Sequence, residues 1–214
     1  MTFFSLKFLF YIALIFLGYR RFAISTEKKY LIFSLLGLLD IATNLLDQFV
    51  FTSNLELLLV NNLITLGLFF TFFYHIKNVK FPKHSIFVFY VTIVMYASTI
   101  IYMDWPKAAD HLYSDYGYLN TIEFSNFSVI SAVICLLLCT KVIVGIIQNE
   151  SSQLNIIFIT FGVIFYYIGD LLSFGLGTHF LKDHNTHYEF LKTLLQMRLY
   201  TTKCFILMGL IWKN

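Results

Sequence analysis

Seven apolar stretches alternate with short polar connections along the chain, at roughly 2–19, 30–51, 56–75, 84–103, 122–147, 154–177 and 190–212. Each is long enough for a helix rising about 1.5 Å per residue to cross a hydrocarbon core of about 30 Å. Lipid offers backbone groups no hydrogen-bond partner, so crossing segments must satisfy themselves as helices. A closed barrel would show alternating segments of about ten residues, and none is visible. The pattern predicts an all-α polytopic membrane protein, a seven-transmembrane-helix bundle forming a single domain over residues 1–214. The longest connection runs from Asp104 to Thr121, which leaves no room for a soluble domain. No internal repeat of the kind that marks inverted-repeat transporters is evident. The first stretch has no small-residue cleavage site after its apolar run. Arg20 and Arg21 follow instead, so it is expected to be retained as a span.

Composition agrees. The 214 residues are 58% hydrophobic and 13% charged, about half the charge of a soluble domain at roughly 25%. Mean hydropathy is +0.75. The formal net charge of +3 says less than its placement. One set of connections and span ends collects nine cations: Arg20, Arg21, Lys28, Lys29, Lys77, Lys80, Lys83, Lys141 and Lys213. The alternate set holds four, Lys7, Lys107, Lys182 and Lys192, together with the acids Glu56, Asp104, Asp110, Asp115, Glu123, Asp183 and Glu189. Lys and Arg favour the cytoplasmic side, so the N-terminus is expected outside and the C-terminus in the cytoplasm, in a bacterial inner membrane. The lipid bilayer is then the first partner, and other membrane subunits are possible ones. Nucleic acid is not an expected partner, because no Lys/Arg stripe accompanies a soluble fold. Cys135, Cys139 and Cys204 all lie inside apolar stretches, which excludes a disulfide framework or a CxxC metal motif.

Charges inside spans are costly, and each is a candidate site residue with a partner to be named. The second span carries Asp40, Asn44 and Asp47, spaced four and then three apart on one helical face. The sixth carries Asp170, and the seventh carries Arg198 and Lys203. The topology puts Asp40 and Lys203 near mid-membrane, with Asp47, Asp170 and Arg198 in the outer half. Matching opposite charges by depth pairs Asp40 with Lys203, and Arg198 with Asp47 or Asp170. Spans two, six and seven are therefore expected to meet around a polar cluster opening outward. Such a cluster serves either as ion pairs that lock helices together or as a ligand or ion site.

Other chemistry finds less support. A lysine in the middle of a seventh helix invites comparison with retinal proteins. Trp105 and Trp212 sit at span ends, however, and Leu199 stands one turn before Lys203 where a counter-ion would be expected. No cofactor is expected. His179, His184 and His187 gather in or beside the sixth loop with Asp183 and Glu189. They are weak candidates for zinc, lacking helical His-x-x-x-His spacing. No nucleophile elbow or phosphate-cradling glycine loop is present, so catalytic residues are not assigned. Cys135 and Cys139 share a helix face, as do Gly162 and Gly169, where a neighbouring helix is expected to approach closely. Phe165, Tyr166 and Tyr167 place aromatics beside Asp170.

The stretch IFITFGVIFYYIGDLLSF, ending at Phe174, resembles the sixth helix of an uncharacterised family of small bacterial seven-helix integral membrane proteins. Asp170 stands where that family carries Asn. The ending TKCFILMGLIW is similar to the family's last helix, with Lys203 at its Lys and Cys204 in place of its Asn. NNLITLGLFFTFFYHIK resembles its third helix, with Gly67 where a glutamate is usual. The resemblance implies the seven-helix fold and supplies no activity. Function is expected to be non-enzymatic, as an accessory subunit or sensory module of a membrane complex. The alternatives are a small transporter or channel built on the Asp/Lys/Arg cluster, and an intramembrane enzyme acting on lipid.

Overall fold

The computed structural model describes residues 2–49, 54–76, several positions between 86 and 98, 122–148, 153–172 and 185–212. The described residues are helical, with short turns and no strand among them. Helix α1 spans Thr2–Ser25, a 3-10 turn covers Lys28–Tyr30, and α2 follows at Leu31–Phe49. Next come α3 (Asn54–Tyr74), α4 (Ile122–Gln148), α5 (Leu154–Asp170) and α6 (Asn185–Ile211). The described residues between 86 and 98 are also helical, and Phe89 there stacks on Phe70 of α3 with ring centroids 3.6 Å apart.

Among the described residues, three helical stretches are long and apolar enough to cross a membrane: Lys7–Ser25, Lys28–Leu46 and Val129–Gln148. Val60–Tyr74 and Leu154–Gly169 are apolar but shorter. Helix ends differ from the apolar runs. α1 continues through Arg20 and Arg21 to Ser25, because an i→i−4 ladder persists after the side chains leave hydrocarbon. α6 likewise begins at Asn185, five residues before its apolar run.

Outward faces carry the signature of a lipid-facing surface. Leu9, Ile12, Phe16 and Tyr19 form an exposed stripe on α1, and Val133, Leu137, Val144 and Ile147 form one on α4. Repeats of three and four residues put each set on one helix face. Contiguous apolar stripes of this length are unusual on a monomeric soluble surface.

Sequential helices pack side by side, α1 on α2, α2 on α3, α3 on α4, α4 on α5 and α5 on α6, and α6 returns to α1. The helices thus close a ring around an aromatic core. Tyr30, Phe33, Phe69, Phe72 and Phe73 are buried at its centre, and Phe33 meets Phe72 edge-on at 4.9 Å. α2 runs antiparallel to α3, and α5 to α6. Tyr30, just before α2, packs on Phe72 near the end of α3, and Asn155, opening α5, lies beside Gly209 near the end of α6.

One polar bond crosses the ring at this level. Asn155 Nδ2 donates to the Tyr30 hydroxyl at 2.7 Å, both residues being buried and 125 positions apart. Hydrogen bonds between membrane helices contribute about 0.6–1.7 kcal/mol. Asn155→Ala is therefore expected to lower unfolding free energy by about 1 kcal/mol, measured by detergent-titrated unfolding in mixed micelles. Tyr30→Phe should cost a similar amount, and the double variant no more than either alone.

Candidate functional site

Three helices build the polar cluster. α2 places Asp40 and Asn44 four residues apart on one face. α6 contributes Tyr200 and Lys203, three apart, and α1 contributes Tyr11. They meet where α6 closes the ring against α1.

Lys203 Nζ lies 3.3 Å from Asp40 Oδ2, and both side chains are largely shielded, 11% and 19% exposed. The pairing expected from matched depth is present. The same ammonium sits over the Tyr11 ring at 3.8 Å from its centroid. A desolvated cation in this position gains from the negative face of the ring as well as from the carboxylate. Asn44 Nδ2 donates to the Tyr11 hydroxyl at 3.1 Å and to the Asp40 main-chain oxygen at 2.7 Å, which fixes the phenol's position. Phe10 packs against Tyr200 at 5.7 Å on the α1–α6 side.

Arg198 belongs to a second group. Its guanidinium lies over the Tyr166 ring of α5 at 4.6 Å, and its aliphatic stem crosses Gly169, where a methyl group would collide with it. Tyr166 in turn donates to Asn62 Oδ1 of α3 at 3.4 Å. Tyr167, its neighbour, is buried, as are Cys135 and Cys139 on one face of α4. The expected pairing of Arg198 with Asp47 or Asp170 falls on side chains outside the described residues. Asp40, Asn44 and Lys203 gather with Tyr11 among α1, α2 and α6, while Arg198 gathers with Tyr166 among α3, α5 and α6.

Asp47 and Asp170 occupy α2 and α5, and His187 occupies α6, but their side chains lie outside the described residues. His179 and His184 also lie outside them. Among the described residues no three His, Cys, Asp or Glu side chains converge as metal ligands.

Tyr11, Tyr200 and Asn62 were not singled out by sequence reasoning. Tyrosine is common in this chain, with 14 copies, so neither position stands out from its neighbours. The usable signal is geometric: a buried cation needs its remaining surface covered, and an aromatic face on the adjoining helix does this.

Chemically, the Asp40–Lys203 pair is neutral as a unit and joins α2 to α6. It can hold the helices together, and it can pass a proton between carboxylate and amine. No family model matches the chain, and neither a curated protein nor a solved structure matches it.

Proposed function

We propose that this chain is a seven-span bundle of the bacterial inner membrane, N-terminus outside and C-terminus cytoplasmic. It works without catalysis, as an accessory subunit or sensory module of a membrane complex. Its likeness to the uncharacterised seven-helix family is part of the same proposal. The observation that carries the reading is how the interior polar groups are used. Asp40 pairs with Lys203, Asn44 with Tyr11, Asn155 with Tyr30 and Tyr166 with Asn62, each bond joining two helices. Polar groups committed to each other specify helix arrangement rather than present chemistry to a substrate.

Extraction from native membranes in mild detergent tests this, with particle sizing and mass spectrometry of co-purifying proteins. A stoichiometric hetero-complex is expected. A lone monomer or homo-oligomer overturns the subunit role.

One observation favours a second reading, transport. Opposite charges held 3.3 Å apart inside a bundle are a ready proton-exchange pair. In that case Asp40→Asn abolishes ion flux in proteoliposomes while the folded chain persists. Retained flux would remove the pair from the pathway.

A further inference from the structure

The corner between α1 and α2 concentrates unbalanced positive charge. Residues 20–30 hold four cations, Arg20, Arg21, Lys28 and Lys29, against one acid, Glu27. Two of the four are built into the corner. Lys29 is only 7% exposed, pairs with Glu27 at 2.9 Å and lies 5.3 Å from the Tyr30 ring centroid. Arg21 lies 5.4 Å from the same centroid, and its Nε is buried with no hydrogen-bond acceptor among the described residues. Among the described residues, one ring and one carboxylate thus serve the buried Lys29 ammonium and the half-buried Arg21 guanidinium. A buried cation gains from each further anion that reaches it.

The backbone shapes the corner independently of the charges. Thr26 takes a left-handed conformation, φ 57°, and its N–H returns to the Phe22 carbonyl at 2.7 Å. This ends α1 in the manner of a left-handed helix cap. Ser25 Oγ donates to the Arg21 carbonyl at 2.8 Å and accepts from the Glu27 N–H at 3.3 Å, tying the corner together. The corner lies between two stretches apolar enough to cross a membrane, Lys7–Ser25 and Lys28–Leu46, which sets it at the depth of lipid headgroups.

We propose that the α1–α2 corner binds the phosphate of an anionic phospholipid headgroup, with Arg21 and Lys29 supplying the cations. The proposal rests on α1 and α2 crossing the bilayer. A phosphate diester fits because its oxyanion accepts from guanidinium and ammonium at once. The exposed Arg20 and Lys28 attract the anionic leaflet without fixing a headgroup.

The test uses the full chain in nanodiscs of phosphatidylcholine mixed with phosphatidylglycerol, with native mass spectrometry of the lipids that stay bound. Wild type is expected to retain phosphatidylglycerol over phosphatidylcholine by roughly tenfold. Arg21→Gln should remove most of that preference, and Arg20→Gln/Lys28→Gln should leave most of it. Arg21→Lys, which keeps the charge, should retain part. Equal losses from the inner and outer cations would reduce the effect to general surface charge and overturn the site. So would an absence of preference in wild type, which needs no variant. Binding of inorganic phosphate in lipid-free micelles, competing fully with phosphatidylglycerol, would overturn the lipid as its source. A chain that fails to enter nanodiscs overturns the membrane reading itself, whereas one that enters without preference overturns only the lipid site.

Discussion

Asp40→Ala and Lys203→Met are each expected to lower unfolding free energy by about 3 kcal/mol, whereas Asp40→Leu/Lys203→Met together should cost about 1 kcal/mol or less. The asymmetry follows from desolvation. Each partner's charge is offset by the other at 3.3 Å, and neither side chain is more than 19% exposed. Removing one leaves the other with a full charge and little water. Lys203 would keep the face of Tyr11, which recovers about 1–2 kcal/mol at most. Removing both eliminates the desolvation cost along with the attraction. Detergent-titrated unfolding of the two single variants and the double variant completes a thermodynamic cycle, and the coupling is expected to be about 3 kcal/mol or more. Single variants within about 0.5 kcal/mol of wild type would remove the pair from the scaffold, since surface ion pairs contribute no more than that. If such variants also lost flux, the transport reading would gain what the structural one lost.

The pair was legible because membrane depth is nearly a function of sequence position. Helices rise by a fixed step, so Asp40 and Lys203 could be matched from the ends of their spans. What depth does not give is the order of helices around the ring. Tyr11 meets Lys203 only because α6 returns to α1, and no periodicity in either helix encodes that closure. The same gap explains Arg198. Depth permitted it to join Asp40 and Lys203 in one cluster, but residues 198 and 203 differ by five positions, about 140° around a helix. They therefore face different neighbours, Tyr166 on α5 and Asp40 on α2. That angular difference was available from the sequence. Asn155 with Tyr30 was not available, because two neutral polar groups 125 residues apart leave no charge or spacing to match. Seven apolar stretches were read from hydropathy, and three helices meet length and apolarity criteria among the described residues. α6 illustrates the difference, since Arg198 and Lys203 interrupt its apolar run while its packing uses them.

Gly209→Ala is expected to destabilise the bundle by about 2 kcal/mol, although it adds one methyl group. Membrane helices gain little from hiding apolar surface from lipid, so close backbone approach and van der Waals fit carry their association. α5 and α6 make the most extensive contact in the ring, and glycines line it. A Cβ at Gly209 would stand 2.5 Å from the Asn155 carbonyl oxygen and 3.1 Å from the Ile159 nitrogen. Both are main-chain atoms of α5, so relief requires the helices to separate rather than one side chain to rotate. Gly162, on the opposing helix, is set the same way, with its Cβ 2.9 Å from the Thr202 carbonyl. The sequence spacing of Gly162 and Gly169 predicted such a face on α5, and Gly209 shows that α6 reciprocates near its own end. Gly67 on α3 supplies the control, since nothing lies within 4 Å of its Cβ position. Gly67→Ala should be neutral or gain up to about 1 kcal/mol from helix propensity alone. A Gly209→Ala variant as stable as Gly67→Ala would mean that α5 and α6 are free to part at this level. Because the clash falls on Asn155, whose side chain holds Tyr30, Gly209→Ala should also weaken that bond. Its cost and that of Asn155→Ala are therefore expected to sum to more than the double variant loses.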